Sequence, residues 1–83
     1  MLTNDIKKGR RVMLRNGWEA DVCDNAKGNT RMCKVYGFET EMGSVYSHDI
    51  VKVKSLGTDT LETWERVEHT PAQQKLRQRL RGW

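Results

Sequence analysis

The chain has 83 residues, room for one domain burying about 60 to 65% of the surface its unfolded form exposes, which excludes a deep substrate pocket inside one copy. Hydrophobic residues make up 36% and charged residues 31%, the balance of a folded domain and not of a disordered segment. The formal charge of +4 is spread unevenly: Lys7, Lys8, Arg10, Arg11 and Arg15 face Asp5 alone, Lys75, Arg77, Arg79 and Arg81 face no acid, and the stretch between is net acidic. Basic ends of this kind suit a polyanion or an acidic protein surface, and equally plain solubility. The start lacks a basic segment followed by an apolar run, and no stretch approaches the roughly 20 apolar residues of a membrane span. A cytoplasmic protein without membrane contact is therefore expected, with Cys23 and Cys33 as free thiols.

In chain order, residues 1–8 read as an adaptable lead-in, with Lys7-Lys8-Gly9 turning into a first strand over 10–14. Val12 and Leu14 alternate there with Arg11, Met13 and Arg15, the period of a half-buried strand. Asn16-Gly17 is the strongest hairpin signal and predicts a two-residue type I′ turn. A second strand over 18–24 then places Trp18, Ala20 and Val22 toward the core, with Glu19, Asp21 and Cys23 outward. After the Asn25–Asn29 turn, a third strand spans 30–36, where Cys33 and Val35 compete with Met32 and Tyr36 for the interior. Residues 39–42 suggest an edge strand or arc, and a fourth strand starts at Gly43. Ser47-His48-Asp49 reads as a single tight or 3₁₀ turn before a strand over 50–54, and a hairpin through 57–59 returns 61–67 along it, anchored by Trp64 and Val67.

The period changes at the end of the chain. Thr70 caps a helix, Pro71 takes its first position, where the missing N–H costs nothing, and Gln73 completes a capping box. The helix carries Leu76, Leu80 and Trp83 on one stripe, flanked by Lys75, Arg77, Arg79 and Arg81. The organisation is thus a lead-in over 1–8, a barrel with appended hairpin over 9–69, and a basic amphipathic helix over 70–83.

Short glycine-punctuated strands, a basic first strand and the Ile50-Val-Lys-Val run after a one-turn helix resemble the SH3-like small barrels of the KOW and Tudor type over roughly 7–55. The resemblance implies a mainly all-β fold of five to six short antiparallel strands with a C-terminal α-helix. Ile6-Lys-Lys-Gly, Leu14-Arg-Asn-Gly-Trp, Val35-Tyr-Gly-Phe, Gly43-Ser-Val-Tyr-Ser-His-Asp-Ile and Val67-Glu-His-Thr-Pro are similar to small proteins of tailed bacteriophages, a likeness that implies no particular activity. Gly43-Ser-Val also resembles the type II dihydrofolate reductases, whose catalytic Val-Gln-Ile-Tyr run stands here as Val45-Tyr46-Ser47-His48, so their chemistry is not carried over.

A nucleic-acid surface needs cations spaced to reach phosphates and aromatics on which bases stack. Lys7, Lys8, Arg10, Arg11 and Arg15 would supply the charge, Tyr36 and Phe38 the platforms unless they close a barrel end, and Lys75, Arg77, Arg79 and Arg81 a second basic arm. Glu39, Glu41, His48 and Asp49 match no metal-ligand spacing, and Asp49 is expected to stabilise its turn by accepting backbone N–H groups. The sequence leads to a non-catalytic binding module without metal or cofactor, contacting nucleic acid. The alternatives are an acidic host protein as target, in a host cytoplasm if the chain is phage-encoded, and a self-assembling barrel. Monomer and weak homo-oligomer both remain open.

Overall fold

Buried and more exposed positions alternate along residues 11–14, 19–22 and 30–35, the period of extended strands. The computed structural model describes residues 1–55 and 63–81. After a 3₁₀ turn at Thr3–Asp5 come β1 (Arg11–Leu14), β2 (Glu19–Val22), β3 (Thr30–Tyr36) and β4 (Thr40–Tyr46). A second 3₁₀ turn at Ser47–Asp49 leads to β5 (Ile50–Lys54), β6 (Trp64–Arg66) and α1 (Pro71–Arg81). The fold is mainly β: one antiparallel six-stranded sheet in the order β4-β3-β2-β1-β5-β6, with a single C-terminal helix. Residues 57–59, expected as the turn before β6, and Trp83 lie outside the described residues.

The β1–β2 connection is a three-residue loop and not the two-residue type I′ turn. Gly17 N–H donates to the Leu14 carbonyl and Leu14 N–H to the Trp18 carbonyl, while only Gly17 among the loop residues takes positive φ, at 92°. Asn16 keeps negative φ and receives the Trp18 N–H on its side-chain oxygen, which replaces the missing second left-handed position.

The core is drawn from alternate positions of β1, β2, β3 and β5, with Ile6 and Val67 closing it. Trp18 departs from expectation: it is exposed, because the loop lifts it past the end of the sheet, where its ring lies over Gly37 and meets Phe38 edge-on at 5.5 Å. A Cβ at Gly37 would collide with the Trp18 ring, so this contact requires glycine. On β3 the inward positions are Arg31, Cys33 and the half-buried Val35, and Met32 and Tyr36 point the other way. The segment over 1–8 does more than lead to the core: Thr3 and Ile6 are fully buried and Leu2 bridges Glu68, while Lys7 and Lys8 stay exposed.

Arg31 is the unexpected core residue. Its guanidinium, fully buried, donates to the Thr3 carbonyl (2.7 Å), the Ile6 carbonyl (2.6 Å), the Asp24 carbonyl (2.9 Å) and Asp24 Oδ1 (2.9 Å). Asp24 Oδ2 in turn receives the Met32 N–H. The helix docks through a second polar node. Gln73, also fully buried, donates to the Gly28 carbonyl (2.7 Å) and to Asn4 Oδ1 (3.1 Å), while its Oε1 receives the Thr70 N–H and its own N–H reaches Thr70 Oγ1. The capping box forms as expected, and its glutamine also fastens the helix to the sheet. Leu76 and Leu80 are only half-buried.

Replacing Arg31 with alanine leaves Asp24 and two buried carbonyls without their donor. The expected loss is about 3 to 5 kcal/mol, a large part of the roughly 4 to 12 kcal/mol available to a domain of this size, read from urea unfolding. Arg31→Lys is expected to be nearly as damaging, because an ammonium cannot span the fork.

Cys23 and Cys33 sit on opposite faces of the sheet as free thiols, one exposed and one buried. Burial pushes the Cys33 thiol up to about 11. A chromogenic disulfide reagent at neutral pH is expected to label Cys23 quickly and Cys33 only after unfolding.

Candidate nucleic-acid interface

Register decides which charges share a face, because cross-strand partners project to the same side. One outward row runs Arg66, Lys52, Met13, Glu19, Tyr36, Thr40 across the sheet. The neighbouring row carries Trp64 and Lys54 on β6 and β5, then Arg11, Asp21, Lys34 and Met42. Lys34, Lys52 and Arg66 are exposed, and Lys54 lies 5.9 Å over the Trp64 ring. In the centre Arg11 grips Asp21 (2.6 Å) and Glu19 (3.2 Å) and stacks 4.8 Å over Tyr36. Tyr36 donates its hydroxyl to Asp21 at 2.7 Å, and Lys34 approaches the same ring at 5.8 Å.

The basic cluster predicted from the first strand is therefore dispersed. Arg11 is on the sheet face but paired. Arg10 has the inward parity of Val12 and donates to the Lys54 carbonyl. Arg15 leaves the strand to bind Asp49 at 3.3 Å and the His48 carbonyl, so Asp49 receives a guanidinium where backbone N–H groups were expected. Lys7 and Lys8 are exposed at the corner beside Asn25, whose side chain takes the Lys8 N–H. Tyr36 joins the sheet face, whereas Phe38 is 96% exposed at the β3–β4 loop and closes no core. Lys75 and Arg79 are exposed on α1; Arg81 ends the helix. Lys34, Lys52 and Arg66, which the sequence reading passed over, form the exposed charge of the face. The signal for them was the outward parity of Lys34 with Met32 and Tyr36, and of Lys52 with Lys54.

Arg77 faces a different site. With Arg15, Tyr46, His48, Asp49 and Leu80 it lines a cleft of about 500 Å³ between the second 3₁₀ turn and the helix. His48 is buried there, its ring stacked on Tyr46 at 5.0 Å and its Nε2 3.7 Å from Asp49. Burial, reinforced by Arg15, His69 and Arg77 against the pull of Asp49, holds His48 below the ordinary imidazole range. Its Nδ1 is enclosed by protein and meets no hydrogen-bond partner among the described residues. Among the described residues no three histidine, cysteine, aspartate or glutamate side chains gather as a metal site, and no helix is long and apolar enough to cross a membrane.

No family model matches the chain, and neither curated proteins nor solved structures give a match. The surfaces above are thus read from their own chemistry.

The pH response follows from three groups. The hydrogen bond from Arg11, with Tyr36 assisting against burial, holds Asp21 below the usual carboxylate range. Burial raises Asp24, but bonds from the Met32 N–H, Arg31 and the Ala26 N–H outweigh it, and Asp24 also ends below that range. The folded chain binds fewer protons than the unfolded one at each carboxylate, so their stabilisation is complete above the unfolded value of about 4 and is lost as pH falls through the folded values. His48 has the same sign at higher pH, because protonation of the unfolded imidazole near about 6.5 favours unfolding. Urea midpoints are expected to fall from neutral pH downward in two stages, with His48→Gln removing the first and Asp24→Asn weakening the second.

Proposed function

We propose that this chain is a small non-catalytic module that binds nucleic acid on the outer face of its sheet. The observation that carries the reading is the register, which brings Lys34, Lys52, Lys54 and Arg66 to one face with the rings of Tyr36 and Trp64. The two rings stand toward opposite ends of the face, Tyr36 on β3 and Trp64 on β6, each with a lysine beside it, which suits a strand whose phosphates run past the cations while separate bases lie on the two aromatics. Arg11 offsets only one of its two carboxylate partners, Glu19 and Asp21, but with Lys34, Lys52, Lys54 and Arg66 on the same face the net charge there stays positive. Recognition on this surface is electrostatic and weakly sequence-selective, since flat rings accept any base and the lysines reach only phosphate.

The strand order supports the SH3-like reading: β5 returns to pair with β1 after a one-turn helix, and the face in question is the convex side of such a barrel. Kinship with the tailed-phage proteins would place the contact in a host cytoplasm. The helix adds Lys75 and Arg79 as a secondary attraction, not as the binding surface.

The test is a salt titration of binding to single- and double-stranded oligonucleotides. Affinity for single strands is expected to fall with salt. Reversing Lys34, Lys52 and Arg66 to glutamate should reduce the log–log slope by about 2 and weaken binding by at least tenfold at low salt. Reversing Lys7 and Lys8 should change both far less. Absence of binding at low salt, or a slope that the triple reversal leaves intact, would overturn the reading and favour an acidic protein as target.

A further inference from the structure

β4 ends the sheet: it pairs with β3 along all 7 of its residues and, among the described residues, no strand pairs with its other side. An edge of this kind offers a row of unpaired donors and acceptors unless it is guarded. The usual guards are missing here. Thr40–Tyr46 contains neither proline nor lysine nor arginine, its register with β3 is unbroken by a bulge, and its one charge is Glu41. The opposite edge, β6, has only 3 residues, and two of them are charged. Exposed apolar side chains gather beside β4. Met42 is 61% exposed and Met32 40%, and Tyr46 joins them on the same face by register.

We propose that two copies of the chain pair antiparallel along β4, centred on Gly43, to form a continuous sheet. In that register Gly43 faces Gly43 of the second copy, Met42 faces Ser44, Glu41 faces Val45 and Thr40 faces Tyr46, and all 7 residues are used. The two-fold axis stands perpendicular to the sheet, and the two side chains of each pair project to the same face. The arrangement is self-complementary in charge as well as shape. Each Glu41 meets a valine, and the two carboxylates are kept several residues apart. Met42 of one copy falls beside Ser44 and, one strand further, Met32 of the other, so the exposed methionines cover each other. Gly43 brings no side chain to the axis, and the space a Cβ would occupy there is empty. An extended segment of another protein could use the same edge, but a segment with this matching of charges and methionines is already present in the chain itself.

The pairing has a consequence for the surface proposed above. A perpendicular two-fold keeps both outer faces on the same side, so Lys34, Lys52 and Arg66 of two copies would form one extended basic platform. The pairing does not depend on nucleic acid, and its test contains none. The full chain is examined by size exclusion with light scattering at rising concentration, where the mass is expected to double. Met42→Lys places a charge at an exposed edge position without disturbing the core, and it is expected to weaken association at least tenfold. Gly43→Cys in a background of Cys23→Ser and Cys33→Ala, the latter because Cys33 lies directly opposite Gly43 in the same chain, treated with oxidised glutathione, is expected to give a disulfide-linked dimer across the axis. A chain still monomeric at roughly 1 mM would overturn the proposal. A dimer that ignores Met42→Lys and does not cross-link through position 43 would overturn it equally, by placing the contact elsewhere.

Discussion

The buried guanidinium of Arg31 is the interaction on which the rest of the structure depends. Taking an isolated charge out of water costs several kcal/mol even after relaxation, so the site is tolerable only when nearly every donor is matched. Here the acceptors are two carbonyls of the N-terminal segment and both the side chain and the backbone of Asp24. Satisfying the charge therefore fixes three pieces of chain at once: the Thr3–Asp5 turn, the exit from β2 and the start of β3. A chain this short buries a smaller share of its surface than a longer one, and a nearly fully paired arginine fills volume at the end of the core while tying down a segment that has few apolar residues of its own.

Gln73 repeats the same device on the helix side. The Gly28 carbonyl accepts from both Gln73 Nε2 and Ser47 Oγ, and Asn4 Oδ1 accepts from Gln73 and from the Gly28 N–H. One turn of backbone thus joins the helix, the second 3₁₀ turn and the N-terminal segment. The helix is held by polar geometry more than by apolar area, which explains how a strongly basic segment docks while its leucines stay half-exposed. Lys75 and Arg79 remain at the surface because nothing in the docking consumes them.

Pairing also decides which charges can act on a partner. Arg11 and Arg15 spend their guanidinium groups on Asp21, Glu19 and Asp49, so they order the scaffold more than they attract a ligand. The exposed cations Lys34, Lys52 and Arg66 lie on three strands, β3, β5 and β6, brought to one face by register alone. A surface assembled this way is flat and broad, suited to an extended polymer and poorly suited to a small molecule, and it ends at an unguarded strand along which it could be lengthened.

Much of the secondary structure was legible in the sequence because its causes are local. The alternation in β1 and β2, the Ser47–Asp49 turn before β5 and the Thr70–Gln73 capping box all depend on residues within a few positions of one another. Gly17 marked a hairpin for the same reason, although the number of loop residues depended on how Leu14 and Trp18 met across it. The fate of the charged and aromatic side chains was not legible. Arg31 and Lys34 sit at opposite parities of one strand, so they face different ways, but that an inward position could hold a charge depended on carbonyls 25 and 28 residues away from Arg31 in sequence. Arg11 looked like part of a basic patch until the sheet set Asp21 opposite it, and Trp18 looked like core until the loop carried it past the sheet's end. Period and capping express short-range backbone preference, which any stretch of sequence carries within itself. Whether a charge is buried, paired or presented to solvent is decided by what the folded chain places beside it.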